Sequence, residues 1–256
     1  MFNLFSIKKF NGSLMQFQDI FLRSIDSTQE YAKKNILNFG KNKITCIVAD
    51  DQTHAKGRNN KTFLCEKLNN LYVTFYFELP KKTLNISSVS HVLALSLIEV
   101  LLGYDISAKI KWPNDILINE KKVSGILTEL SDKKTHFNVF IGVGININSE
   151  KDFFKDLKDA TSLKIETGKK FDRKQVLERL KNTFLKNLNI FIEKGFSPFY
   201  KEIENLLLYI GEDITFNDGK NTYSGKLHSI TNEGFLNIYM KDKSIKTFAA
   251  GEIIKE

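Results

Sequence analysis

The sequence predicts an α/β (α+β) chain with a small all-β part at its C-terminal end. Three observations carry this. Short β-branched and aromatic runs recur at 17–25, 44–49, 71–79 and 137–147. Apolar residues recur at helical spacing across 173–194, at Val176, Leu180, Phe184, Leu188 and Phe191. After Tyr209 the texture changes to short β-like runs divided by Asp218-Gly219, Glu233-Gly234 and Gly251, which suggests a small antiparallel barrel.

The elements follow in order. FQDIFLRSI, at 17–25, reads as a strand. Ser27-Thr28-Gln29-Glu30 reads as a capping box: Ser27 caps the Glu30 amide and Glu30 reaches back. Residues 44–49 are a buried strand, 50–70 a long polar loop, and LYVTFYFEL at 71–79 a second strand. Ser87 or Ser88 opens a helix that runs to about Leu102 and stops at Gly103. Short strands are expected at 108–112, 115–119 and 122–130, with a tight turn at Asn119-Glu120-Lys121. Ser197 followed by Pro198 reads as an N-cap with proline at the first helical position, opening a last helix to about Leu208.

With 256 residues, 42% hydrophobic and 21 Phe, the chain suits one large domain, or one large and one small, around a sizeable core. Cys46 and Cys65 lack metal-ligand spacing, and Cys46 lies in an apolar run as a buried filler, so a reducing compartment is expected. No apolar run reaches membrane-spanning length, and the first residues lack a signal peptide's apolar stretch. The expectation is a cytoplasmic protein. A net charge of +8 raises nucleic-acid binding. The lysines are spread along the chain, which equally describes a solvated surface.

Three segments carry candidate chemistry. Asp51-Gln52-Thr53-His54-Ala55-Lys56-Gly57-Arg58 continues through Asn59 and Asn60 to Lys61. It joins two strands and sets small residues beside three cations, a natural anion cradle or an ordinary basic loop. Arg58 could grip a phosphate with two donors, and Lys56 could act as a point charge. The second segment is the hairpin Lys111–Leu130, where Pro113 breaks any helix. Asn114 and Asp115 enter an apolar strand, Lys122 follows on the return strand, and Gly125 permits close approach. A surface turn with stray lysines would look similar. In the third, Gly142 and Gly144 interrupt a strand ahead of Asn146, which marks a bulge or a close approach.

In this order the segments resemble the biotin–protein ligase family. KWPNDILINEKKVSGILTEL is similar to that family's hallmark hairpin, VFIGVGININ to the strand after it, and IDSTQEYAK to its first biotin-contacting helix start. The tail from YIGEDITF to FAAGEI is similar to its SH3-like C-terminal domain. The loop departs from the family's Gly-Arg-Gly-Arg core: Ala55 replaces a glycine, Lys56 an arginine, and Phe63 stands where a tryptophan is usual.

The resemblance implies a catalytic domain like that of class II aminoacyl-tRNA synthetases at 17–208, an SH3-like domain at 209–256 and an extension at 1–16. That extension is too short for the DNA-binding domain of many relatives, so no DNA binding is expected. The implied reaction joins biotin to ATP as biotinyl-5′-AMP, with Mg²⁺ accompanying ATP. It then passes biotin to a lysine of a biotin carboxyl carrier protein. The expected state is a monomer or homodimer with no membrane association.

By the same resemblance Lys122, Arg58 and Asp115 are catalytic. Ser27, Thr28, Gln29, Gln52, Lys56, Gly57, Arg58, Lys122, Gly125, Gly142 and Gly144 bind biotin. Arg58, Lys61, Asn114, Lys122 and Asn146 bind ATP, and no resident metal is expected. The competing readings are a lipoate ligase on the same fold, a nucleic-acid-binding protein, and an inactive relative that only holds biotin or its carrier.

Overall fold

The structure, a computed structural model, describes residues 16–58 and 61–254. The seven-stranded sheet has the order β1 (Gln16–Leu22), β2 (Lys43–Ala49), β3 (Leu71–Pro80), β7 (His136–Ile145), β6 (Lys121–Asp132), β5 (Asp115–Ile118), β4 (Lys109–Lys111), and a five-stranded sheet has the order β11 (Ile245–Phe248), β10 (Leu236–Met240), β9 (Thr222–Ile230), β8 (Asp213–Asn217), β12 (Glu252–Ile254). The chain divides into two compact units. One comprises the chain to Lys81 with Thr128–Gly144, the other Lys82–Leu127 with the chain from Ile145. Strand β6 (Lys121–Asp132) contributes to both.

In the first unit β1 (Gln16–Leu22) runs parallel to β2 (Lys43–Ala49), and β2 is antiparallel to β3 (Leu71–Pro80). Every residue of β3 from Leu71 to Phe77 is buried, as befits a strand covered on both faces. Helix α1 (Thr28–Lys34) places Ala32 in a cluster with Ile47, Tyr76 and Phe140. The unit closes with β7 (His136–Ile145), whose last residue belongs to the second unit.

The expected strand at 17–25 ends at Leu22 instead. Beyond it only Ile25 pairs, in an isolated bridge to Gln52, because the chain is turning to bring Ser27 to the helix cap. Glu30 does not reach back as a capping box would. Its carboxylate takes the ammonium groups of Lys33 and Lys56 instead. The expected extension at 1–16 lies outside the described residues, apart from Gln16, which opens β1.

The second unit is built on α2 (Val89–Leu102) and α4 (Arg173–Lys194). Helix α2 is apolar nearly all round and buried along most of its length. Helix α4 has the predicted limits, with Asp172 accepting from the Lys174 and Gln175 amides, and the five apolar positions are buried. Asn187 of α4 reaches α2 at Ser96 Oγ and Glu99 Oε1, both at 3.1 Å. Strand β5 (Asp115–Ile118) pairs antiparallel with β4 (Lys109–Lys111) and with β6. Asn119 and Glu120 make the turn with φ of 49° and 62°, the left-handed pair of a tight hairpin.

Helix α3 (Leu163–Thr167), capped by Ser162, has no periodic signature in the sequence. Helix α5 (Tyr200–Leu206) begins three residues after the expected cap at Ser197. Phe199 donates to the Phe196 carbonyl in a turn that buries both rings, and packing them takes precedence over a proline-started helix. The C-terminal part is β-rich: β8 (Asp213–Asn217), β9 (Thr222–Ile230), β10 (Leu236–Met240), β11 (Ile245–Phe248) and β12 (Glu252–Ile254). Trp112 is buried, packs on Phe216 and donates its indole N–H to the Gly234 carbonyl at 3.0 Å.

At the start of α2, His91 is buried beside Phe196 and the Gly234 turn, and neither ring nitrogen has a hydrogen-bond partner among the described residues. Burial lowers its pKa from 6.5 to about 4. The unfolded chain takes up this proton near 6.5, so the stability from neutral His91 is complete above that pH and falls as the pH drops towards 4. We predict a loss of about 2 kcal/mol between pH 7 and pH 5 from this group. Denaturant unfolding at both pH values measures it, and His91→Leu should remove that share of the pH dependence.

Candidate active site

In the first unit the polar groups converge on the start of α1. Ser27 Oγ accepts from the Glu30 amide at 3.4 Å, and Ser27 is buried. Thr28 donates twice to Gln52 Oε1, from its amide at 2.7 Å and from Oγ1 at 3.0 Å. With that hydroxyl proton spent, the 2.9 Å contact to Thr74 must have Thr74 as donor. Gln52 Nε2 in turn donates to Cys65 Sγ at 3.8 Å, and burial pushes the Cys65 thiol up to about 11, so it stays a neutral filler. Gln29 Nε2 donates to Glu129 Oε2 at 2.6 Å, beside Lys33 at 2.8 Å from the same carboxylate.

The cationic loop folds back as a narrow hairpin. Phe63 N donates to Ala55 O at 3.0 Å, and Gly57 N to Lys61 O at 2.6 Å. Lys56 and Thr62 form the bridge between these bonds, and Arg58 and Lys61 occupy the turn. Lys56 Nζ lies 3.3 Å from Glu30 Oε1. The Glu30 carboxyl is lowered first by its hydrogen bond from Lys33 and further by Lys56, against the opposing effect of burial. Burial alone would lower Lys33, but its bonds to Glu129 and Glu30 outweigh that and raise it. Gly144 is approached by the loop itself: a Cβ there would meet the Phe63 ring at 2.6 Å. Gly142 is half-buried on the same strand.

In the second unit the site is the hairpin. A register shift opposite Ile116 and Leu117 pairs Asp115 with Gly125 but Leu117 with Lys122. Val123 is therefore an extra residue, and Lys122, Gly125 and Asp115 share one face. Lys122 Nζ reaches Asp115 Oδ1 at 2.6 Å, running over Gly125, where a Cβ would sit 3.1 Å from both Cε and Nζ. Asn114 donates Nδ2 to Ile126 O at 2.7 Å and accepts from Ile126 N at 2.9 Å through its own carbonyl, which closes the hairpin mouth. Asn146 is buried, its amide N–H on Val123 O and its Nδ2 on Thr161 O. Lys122 is also held by its backbone, donating to Asp159 O at 2.7 Å and accepting from Thr161 N at 2.9 Å.

The structure thus groups Ser27, Thr28 and Gln52, pairs Lys56 with α1, and unites Lys122, Asp115 and Gly125. Sequence reasoning missed Thr74, Cys65, Glu129 and Thr161. Only Thr74 left a signal, as a hydroxyl inside the apolar run LYVTFYFEL.

A lysine and an aspartate on a hairpin that permits close approach, within a mixed α/β sheet, suit a protein that handles anionic acyl and phosphoryl groups. Residues 21–146 match the biotin/lipoate A/B protein ligase family, and the chain belongs to that family. It is 34% identical over 245 residues to the bifunctional ligase/repressor BirA of Bacillus spizizenii, covering 93% of this chain and 73% of that protein. It is 28% identical over 222 residues to the biotin–[acetyl-CoA-carboxylase] ligase of Paracoccus denitrificans, covering 84% and 91%. A biotin protein ligase from Aquifex aeolicus, solved in complex with biotin and ATP, is 36% identical and superimposes with a TM-score of 0.81 over 92% of this chain and 97% of that one.

The Phe63–Gly144 contact makes a prediction independent of activity. Gly144→Ala should push Phe63 off β7 and open the loop. Trypsin should then cut after Lys56, Arg58 or Lys61 several-fold faster than in the parent protein.

Proposed function

We propose that this chain is an ATP-dependent biotin–protein ligase. It makes biotinyl-5′-AMP and transfers the biotinyl group to a lysine of a biotin carboxyl carrier protein of a carboxylase. The observation that carries the reading is the Lys122 ammonium, held over Gly125 by Asp115 at 2.6 Å, in a chain 36% identical to a ligase solved with biotin and ATP. A lipoate ligase shares the family, but the hairpin KWPNDILINEKKVSGIL resembles the biotin branch.

In the first step an oxygen of the biotin carboxylate attacks the α-phosphorus of ATP, and pyrophosphate leaves. Negative charge gathers on one phosphate, so a cation beside it supplies most of the stabilisation. Lys122 takes that role by turning from Asp115 to the phosphate. Arg58 and Lys56 shield the adenylate, and Lys61, Asn114 and Asn146 serve the nucleotide. Ser27, Thr28, Gln29, Gln52 and Gly57 serve the biotin end, and Gly125, Gly142 and Gly144 let backbone approach the ligand. A magnesium ion would accompany the ATP phosphates and neutralise part of their charge.

In the second step the acceptor amine attacks the acyl carbon and AMP leaves. The amine must lose a proton to become nucleophilic. In this reading Asp115, freed when Lys122 turns to the phosphate, accepts it. We assign 17–208 to a catalytic domain and 209–256 to an SH3-like domain, and infer that the enzyme works in the cytoplasm. No helix of the described residues is long and apolar enough to cross a membrane.

Biotin-dependent ATP–pyrophosphate exchange tests the reading, with lipoate as the control substrate. Exchange is expected with biotin alone, and its absence with biotin overturns the proposal. Lys122→Ala should lower that exchange by roughly 10²–10³-fold. Asp115→Ala should slow transfer from preformed biotinyl-AMP to the carrier, and near-parental transfer would remove Asp115 from the role of base.

A further inference from the structure

Thr161 joins two residues of the proposed site. Its amide N–H donates to Lys122 O at 2.9 Å, and its carbonyl accepts from Asn146 Nδ2 at 3.0 Å. The side chain is bonded as firmly as the backbone. The hydroxyl donates to Glu166 Oε1 at 2.6 Å, and Thr161 is only 1% exposed.

The other oxygen of that carboxylate accepts from Asn119 Nδ2, also at 2.6 Å. Asn119 is the first left-handed residue of the turn between β5 and β6. One carboxylate therefore grips the hairpin at its turn and the neighbouring segment at Thr161, with Lys122 between the two grips. Glu166 is itself fixed, because α3 is anchored at its start. Ser162 Oγ accepts from Ile165 N at 3.1 Å and donates to Ser149 O at 2.7 Å. A two-residue turn next to a register shift has few backbone bonds of its own to resist fraying, and Lys122 lies at the second position of β6.

We propose that Glu166 is a positioning residue of the adenylating site, acting through Thr161 and Asn119 to fix the backbone from which Lys122 and Asn146 project. The inference rests on the ligase reading of Lys122. Its demand is on geometry rather than charge. A glutamine at this position would still accept from Thr161, and its amide could donate to a rotated Asn119 side chain.

The test uses the full chain, with biotin-dependent ATP–pyrophosphate exchange for rate and titration calorimetry for biotin affinity. Glu166→Ala should lower kcat roughly tenfold or more, while KM for biotin and the biotin Kd stay within about twofold. Glu166→Gln should recover most of the loss. Thr161→Val, which keeps both backbone bonds, should show the same kcat-only defect, and the double variant should be no worse than Glu166→Ala alone. A kcat for Glu166→Ala within about twofold of the parent, no recovery in Glu166→Gln, or additive losses each overturn the proposal. Should Glu166→Ala fail to fold, Thr161→Val decides by the same criterion. Should the parent chain show no exchange, the ligase reading falls and amide hydrogen exchange decides the bracing. Faster exchange at Lys122 and Thr161 in Glu166→Ala or Thr161→Val supports it, and unchanged rates overturn it.

Discussion

One extra residue in β6 decides which groups of this protein can meet. Residues three apart on a regular strand face opposite sides of the sheet. The register shift at Val123 cancels that, so Lys122 and Gly125 share a face with Asp115 opposite. The carbonyl of the extra residue is not wasted on solvent, since it accepts from the Asn146 amide at 2.8 Å. Gly125 leaves the Lys122 stem its room: a Cβ there would sit 3.1 Å from Cε and Nζ, so the lysine would have to shift by a few tenths of an ångström.

The ion pair formed there is a poor source of stability. Lys122 and Asp115 keep 37% and 25% of their side-chain surface exposed, and pairs so open to water contribute little. Stability comes from elsewhere: the buried run of β3, the largely apolar α2 and the inward stripe of α4. The site is thereby released from structural duty at its reactive groups, while its surroundings are tightly bonded. Backbone bonds at Lys122, the paired Asn114 and the buried Asn146 define where the ammonium starts, and the ammonium itself can move. Under the ligase reading that division is what the chemistry needs, because the same lysine must leave Asp115 to meet a phosphate.

What the sequence disclosed follows from range. Strands β2 and β3 and helix α4 were legible because a few adjacent residues repeat a pattern, and the Ser27 cap and the Asn119-Glu120 turn because two or three neighbours define them. The helix expected from Ser197 starts three residues late because a non-local demand, burial of Phe196 and Phe199, outweighed a local one. The hairpin's residues could be named from their order, but the register shift that brings Lys122 and Asp115 together leaves no mark in composition or period. Thr161 and Glu166 were invisible for the same reason. Glu166 lies 47 residues from Asn119, and nothing in the intervening sequence announces that they touch.

The cationic loop carries part of its charge on a lysine, Lys56, beside Arg58. A guanidinium grips two oxygens in a fixed plane, whereas the ammonium of Lys56 is a point charge on a flexible stem. Glu30 compensates by giving that charge a resting place, at 3.3 Å, shared with Lys33, which is itself shared with Glu129. With 57% of its side chain exposed, Lys56 can exchange this carboxylate for a ligand's phosphate at little cost. The exchange also releases Glu30 to a second cation already in contact, so no carboxylate is stranded. In the proposed reaction the loop's charge is therefore transferred from helix α1 to the adenylate. The strength of the ligand's hold on Lys56 is then set by a competition inside the protein as well as by the contact itself.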